Sequence, residues 1–288
     1  KRPDLLHVFA GKPLEKGWSG KLWAVHQGLD KANTLAPSAT FILLTDADIT
    51  HDNASLRRLV SKATMSHLDL VSLMVRLRVD SFWEKLLIPA FIFFFQKLYP
   101  FRWVNDPKKS LAAAAGGCML VRRSALDRIG GVYSIRNHLI DDCKLAALLK
   151  KEGSIWLGLS DKVISERNYK HLSEIWNMVA RTAYEQLGNS FFALIGTLVA
   201  MGIVYILPLL SAATFLVVGP VDLIIGGITC CVMMGIAFKP TLAFYGMSQA
   251  WCLLLPLAAF LYTLMTITSA INYLQGRGNA WKGRYYKT

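Results

Sequence analysis

The chain has 288 residues, 53% of them hydrophobic, and a mean hydropathy of +0.36. That is too apolar for one ordinary soluble domain, and the excess is concentrated between residues 191 and 271. Lysine and arginine exceed aspartate and glutamate by 32 to 19, a net charge of +13, yet no basic run interleaved with aromatics resembles a nucleic-acid module. The excess charge implies anionic lipid headgroups and an anionic substrate as partners, and no nucleic acid.

Residues 5–9 read as a short strand, and Lys1 standing just before it leads to the expectation that earlier strands of the same domain lie upstream. A glycine-rich loop, GKP at 11–13 and GWSGK at 17–21, leads into a helix over 22–32 with Ser19 as its candidate cap. A strand over 40–45 is followed by a helix over 53–66, whose Leu56, Leu59, Val60 and Ala63 share one side. A further strand spans 70–79. This alternation predicts an α/β domain with a mostly parallel, Rossmann-like sheet.

Residues 82–99, FWEKLLIPAFIFFFQKLY, break the rhythm. Pro89 interrupts them and Lys85 and Lys97 flank them, so a helix lying in the headgroup region is expected, with a buried core helix as the alternative. The pattern resumes with a strand over 118–121, a short helix ending at Gly130-Gly131, a helix over 141–151 and a strand over 154–159. An amphipathic helix over 175–187 leads to three apolar runs, 191–210, 218–238 and 251–271, each long enough to cross a bilayer. The expected division is a catalytic domain over 1–188 and an α-helical transmembrane region over 189–288.

Lys239 and the terminal Arg277, Lys282, Arg284 and Lys287 belong on the cytoplasmic side by charge. Three full crossings would put the basic end opposite the α/β domain, so either one run is re-entrant or the charge rule is broken. The five cysteines, Cys118, Cys143, Cys230, Cys231 and Cys252, form no C-x-x-C pair and read as packing residues in a reducing compartment.

The chemistry centres on LLTDADITHD, residues 43–52, where Asp46 and Asp48 follow an apolar strand. A calcium loop is excluded, because the sixth position is His51 instead of glycine and the twelfth is Arg57 instead of glutamate. DADIT also satisfies the D-x-D-x-T signature of aspartyl-phosphate phosphatases, with Asp46 as nucleophile. That motif normally sits on its domain's first strand, whereas here a strand and a glycine-rich loop precede it. The third reading is a clamp for Mg²⁺ or Mn²⁺ bridging a diphosphate.

Such a clamp needs a phosphate loop, for which Gly17 to Lys21 is the candidate, and a carboxylate to take a proton from an attacking hydroxyl. Asp141-Asp142 at the mouth of a helix supply it, although acids there also serve as ordinary caps. Lys21 can equally be an exposed lysine at a helix start. His51 reads as a third ligand or a capping residue, and Arg122 and Arg123 as phosphate or headgroup contacts.

The ordered motifs GWSGKLWA, LLTDADI, AGGCMLVRR, IGG and IDDCKLA resemble those of family 2 glycosyltransferases of the GT-A fold. Within that family they resemble the membrane-bound branch, which includes processive synthases and ceramide glucosyltransferases. IDDCKLA, IWNMVARTAYEQL and GRGNAWKGRYY are most similar to the bacterial hopanoid-associated glycosyltransferases. The resemblance covers essentially the whole chain.

It implies an inverting sugar transfer from a UDP-linked donor to a lipid hydroxyl, at a bacterial inner membrane, with the catalytic domain facing the cytoplasm. By resemblance, Asp46 and Asp48 hold the metal, and Asp142 is the general base, with Asp141 in place of the family's glutamate. Gly20, Lys21, Asp46 and Arg181 face the donor, and Gly116 and Gly117 face the acceptor. The family's Q-x-x-R-W motif is reduced to MVART, where only Arg181 matches, and this disfavours a processive polymerase. Arg181 also reads as a membrane-surface arginine. A non-catalytic relative is the remaining alternative.

Overall fold

The structure is a computed structural model and describes residues 5–138, 140–214, 219–276, 280–281 and 284–285. It divides into two compact units. The first comprises Lys1–Asp46, Ala54–Met74 and Val104–Gly158, and the second Ala47–Asn53, Val75–Trp103 and Leu159–Thr288.

In chain order the first elements are α1 (Gly20–Leu35), β1 (Phe41–Thr45), β2 (Ile49–His51), α2 (Ser55–Met65), β3 (Leu70–Arg76), α3 (Phe82–Leu98) and α4 (Phe101–Val104). There follow β4 (Cys118–Arg122), α5 (Arg123–Arg128), α6 (Asp141–Glu152), β5 (Ile155–Ser165), α7 (Leu172–Ala180) and α8 (Ala183–Gln186). The apolar part holds α9 (Phe191–Met201), α10 (Leu207–Ala213), α11 (Val221–Phe244) and α12 (Leu255–Leu274), and the short strands β6 (Ala280–Trp281) and β7 (Arg284–Tyr285) come last.

Five strands form one mixed sheet in the order β1-β4-β3-β5-β2. This corrects the expected mostly parallel, Rossmann-like sheet: β1 and β3 both pair antiparallel with β4, and β2 pairs antiparallel with β5. Because both flank β4 antiparallel, β1 and β3 run in the same direction, as a strand-helix-strand unit requires. What alternation along the chain does not reveal is that a later strand, β4, inserts between them with the opposite sense. Residues 5–9 form no strand: Leu6 and Val8 are 72% and 84% exposed, and a strand needs a ladder partner.

In the first unit, the Ser19 hydroxyl accepts a hydrogen bond from Leu22 N at 3.3 Å and caps α1, whose Leu22, Trp23 and Leu29 are buried. On α2 the buried face is Ser55, Leu59 and Ala63, a four-residue spacing, and Leu56 points to solvent. β4 is buried along almost its whole length. Arg122 ties to Asp69 at 3.2 Å and to the Leu68 carbonyl, while Arg123 donates to the carbonyls of Ala36 and Ala39. The two arginines therefore bind the chain to itself.

In the second unit, α3 opens with a reciprocal cap between Ser81 and Glu84. The fully buried Glu84 carboxylate accepts from the backbone N–H groups of Asp80, Ser81 and Tyr169, which satisfies a charge that would be costly if unpaired. Leu87, Ile88, Ala90 and Ile92 of α3 are inaccessible to solvent. Phe93 packs on Phe238 of α11 at 5.2 Å between ring centres, and Tyr262 of α12 donates to the Leu87 carbonyl at 2.9 Å. Much of α3 is thus covered by neighbouring helices.

Three helical segments, Phe191–Ala213, Val221–Phe244 and Gln249–Leu274, are long and apolar enough to cross a membrane. The first contains a π turn over Gly202–Ile206, and the last starts as a 3-10 turn. Phe192, Ile236 and Leu253 stand 85%, 65% and 79% exposed, an arrangement suited to lipid and penalised in water. Lys239-Pro240 does not end the second run, which continues to Phe244. Proline removes one intrahelical bond, and in an apolar setting unwinding would leave more backbone unsatisfied. The expected amphipathic helix over 175–187 is two helices, α7 and α8. The side chains of the basic tail, Arg277, Lys282, Arg284 and Lys287, lie outside the described residues.

Candidate active site

In the first unit, the β1–β4 register sets Thr45 opposite Cys118, so the residues leaving β1 meet those entering β4. Asp46 N donates to the Gly117 carbonyl at 3.4 Å, and Thr45 Oγ1 donates to the same oxygen at 2.9 Å. The first turn of α6 brings Asp141 and Asp142 to this point, where the helix dipole favours carboxylates. The first turn of α1 brings Lys21, the residue after Gly20.

The Lys21 ammonium lies 3.1 Å from Asp141 Oδ2 and 3.6 Å from Asp46 Oδ1. Asp142 is held separately: Gly116 N donates to its Oδ2 at 2.8 Å and Cys143 N to its Oδ1 at 2.7 Å. A Cβ at 116 would lie 3.1 Å from Lys21 Nζ and 3.3 Å from Asp142 Oδ2, so a side chain there would make these two groups give way by a few tenths of an ångström. Lys21, Asp46, Gly116 and Asp141 line one cavity of about 260 Å³, whose apolar wall includes Leu29, Ile42 and Val132.

Burial first, and then the Asp141 charge, push the Asp142 carboxyl up to about 6, against the opposing pull of Lys21 and the two amides. Burial works against the charge on Lys21, but Asp141, Asp46 and Asp142 outweigh it and hold its pKa above the usual lysine value. A carboxylate whose pKa lies near neutrality is suited to taking up a proton.

The structure therefore brings together Lys21, Asp46, Gly116, Gly117, Asp141 and Asp142. Asp48 and Arg181 belong to the second unit. There the Asp48 carbonyl accepts from Glu166 N at 2.7 Å, and Arg181 closes α7. Both act on Tyr169, whose phenol pKa is raised by burial foremost and by Asp48, with Arg167 and Arg181 opposing. His51 ends β2 opposite Val163 and caps no helix.

Two positioning residues escape a reading of the sequence. Ser72, fully buried on β3, donates to the Ala115 carbonyl at 3.2 Å and accepts from Ala115 N at 2.8 Å. Lys150 on α6 donates to the carbonyls of Val104 and Leu111 at 2.6 and 2.7 Å. Together they fix the segment that delivers Gly116. A serine within a strand carries no signal that its partner lies 43 residues away. Ser72→Ala is expected to lower stability by about 1–3 kcal/mol, because it leaves the buried Ala115 N–H unpaired, while the Ala115 carbonyl keeps its bond from Cys118 N at 3.3 Å. A denaturation midpoint equal to that of the parent protein would contradict this.

Among the described residues, no three histidine, cysteine, aspartate or glutamate side chains are grouped so as to hold a metal. The cluster nevertheless fits a hard divalent cation in one respect: its acids supply only oxygen, and Asp46, Asp141 and Asp142 face a single ammonium. Mg²⁺ commonly takes one or two carboxylates and completes its shell with phosphates and water.

The family model of Glycosyl transferase family 21 matches residues 12–288. The chain belongs to glycosyl transferase family 21. The match embraces the whole cavity and all three apolar helices, and membership carries sugar transfer between a donor and an acceptor as the activity class. The motifs had suggested a glycosyltransferase through their likeness to family 2; the activity class holds, and the family that matches is family 21. No curated protein matches the chain.

Proposed function

We propose that this family 21 member is an inverting, membrane-anchored glycosyltransferase that moves a sugar from a UDP-linked donor to a lipid hydroxyl. The observation that carries this reading is Asp142, a carboxylate poised near neutral pH and held by Gly116 N, beside the Lys21, Asp46 and Asp141 side chains that line the cavity. Asp142 takes the proton of the acceptor hydroxyl, and that oxygen attacks the anomeric carbon. The bond from that carbon to the diphosphate breaks, and the nucleoside diphosphate leaves. Lys21 and the backbone around Gly20 receive the phosphates.

Asp46 and Asp48 would hold Mg²⁺ or Mn²⁺, which when bound would neutralise charge on the leaving diphosphate. Gly116 and Gly117 leave room for the acceptor's approach. Arg181 is a donor-binding residue by the family resemblance. The catalytic part is taken as 1–188, with α3 packed against α11 and α12, and 189–288 as the multi-pass anchor. The exposed apolar helices support a membrane anchor, and a cytoplasmic catalytic face on a bacterial inner membrane is what the family resemblance implies. The terminal motif GRGNAWKGRYY and its resemblance to the hopanoid-associated branch of family 2 support a hopanoid acceptor.

Incubating the bilayer-embedded protein with nucleotide sugars, bacterial lipid and Mg²⁺ or Mn²⁺ tests this function. A glycolipid formed from one donor is the expected result, and release of inorganic phosphate through an acid-labile aspartyl-phosphate would contradict it. The pH dependence adds a second test. The base must be deprotonated, so kcat/KM should level off above about 6 and fall about tenfold per pH unit below it. Asp141→Asn should move this acid limb to lower pH, since the Asp141 charge raises the Asp142 pKa. A limb that does not respond would remove Asp142 from the base role.

A further inference from the structure

The Lys21 ammonium sits between the Asp141 and Asp46 carboxylates. It straddles both oxygens of Asp141, at 3.1 and 3.3 Å, and reaches Asp46 Oδ1 at 3.6 Å. Gly116 lies beside this ammonium, and a Cβ there would stand 3.1 Å from Nζ, a tight contact. The carboxylates are thus grouped around an ammonium, and no set of three among the described residues is arranged around a metal position. A divalent ion on Asp46 would be forced close to the Lys21 charge, and like charges at such distances repel strongly in a partly enclosed site.

We infer that Lys21 is a displaceable counter-ion: it holds the place of the divalent cation on Asp46 until a diphosphate draws it away. The inference rests on the proposed use of Asp46 as a cation ligand. The diphosphate offers Lys21 a new partner and at the same time supplies oxygens to the cation. Cation and nucleoside diphosphate then bind cooperatively through one side chain, and the linkage is reciprocal. The donor-free protein holds the cation weakly, which keeps the cluster neutralised and Asp141 anchored between turnovers. Asp141 is a positioning residue in this scheme, since it fixes the ammonium in the cation's path.

The test is Mn²⁺ binding to the full chain in lipid nanodiscs, read by electron paramagnetic resonance with and without UDP. Lys21→Met and Lys21→Gln are compared with the parent protein, and Arg136→Met serves as a control that removes one positive charge elsewhere in the same unit. The expected result is that both Lys21 variants bind Mn²⁺ alone about tenfold more tightly than the parent, and that UDP tightens Mn²⁺ less in them than in the parent. Arg136→Met should behave as the parent does. If the parent binds Mn²⁺ with UDP but the Lys21 variants gain nothing without it, the counter-ion role is overturned and the cation site stands. An equal gain in Arg136→Met would also overturn it, since any lost positive charge would then suffice. If no protein binds Mn²⁺ under either condition, the cation site itself fails and the inference falls with it.

Discussion

Asp142→Asn is expected to lower kcat by about 10²–10⁴-fold while donor affinity stays that of the parent. The reason is geometric. Asp142 is fixed through both oxygens by Gly116 N and Cys143 N, and Lys21, the residue proposed to receive the phosphates, is anchored on Asp141 and Asp46 instead. Asparagine keeps the shape but cannot accept a proton from a hydroxyl. It also turns an NH₂ toward one of the two amides, a local cost of about 1–3 kcal/mol that should appear as reduced stability. Single-turnover kinetics with calorimetric donor binding separate the two effects. A matched loss of donor affinity would assign Asp142 to donor binding and not to proton transfer.

Asp48→Ala should do the reverse. Donor binding in the presence of Mg²⁺ or Mn²⁺ should weaken by about 100-fold, and binding in the presence of a chelator should be unchanged. Asp48 lies in the turn before β2, two residues after Asp46, and its backbone is tied to Glu166. Removing the carboxylate therefore leaves the local backbone bond intact. Titrating donor against both proteins with and without the cation decides the matter. Equal weakening under both conditions would mean that Asp48 acts on the fold, through the surroundings of Tyr169, and not on a metal.

What the sequence disclosed was what local interactions decide. Ser19 as the cap of α1, Asp46 at the end of β1, and Asp141-Asp142 in the first turn of α6 each depend on neighbours a few residues away. The apolar helices were equally legible, because composition and length are enough to mark them. The sheet was not. β4 lies between β1 and β3 for reasons of packing across the chain, and no periodicity within residues 118–122 encodes its partners. The same limit applied to Arg122 and Arg123, whose partners Asp69 and Ala36 come from distant loops.

The site divides along the same line. Residue types and order suggested Lys21, Asp46 and Asp142, but the contact between Lys21 and Asp141 spans 120 residues. Only the fold shows that the lysine is engaged by acids and not free in solvent. Helix α3 offers a second case. Its sequence is apolar nearly all round, so a bilayer surface and a protein neighbour are equally good solvents for it until Phe238 and Tyr262 are seen against it.

The most direct measurement follows a labelled sugar from nucleotide donor to lipid in proteoliposomes, comparing the parent protein with Asp142→Asn in the presence of Mn²⁺. The parent should yield a glycolipid whose anomeric configuration is inverted relative to the donor, and the variant should yield none above background. Glycolipid formed at the same rate by both proteins, or with retained configuration, would contradict the role given to Asp142.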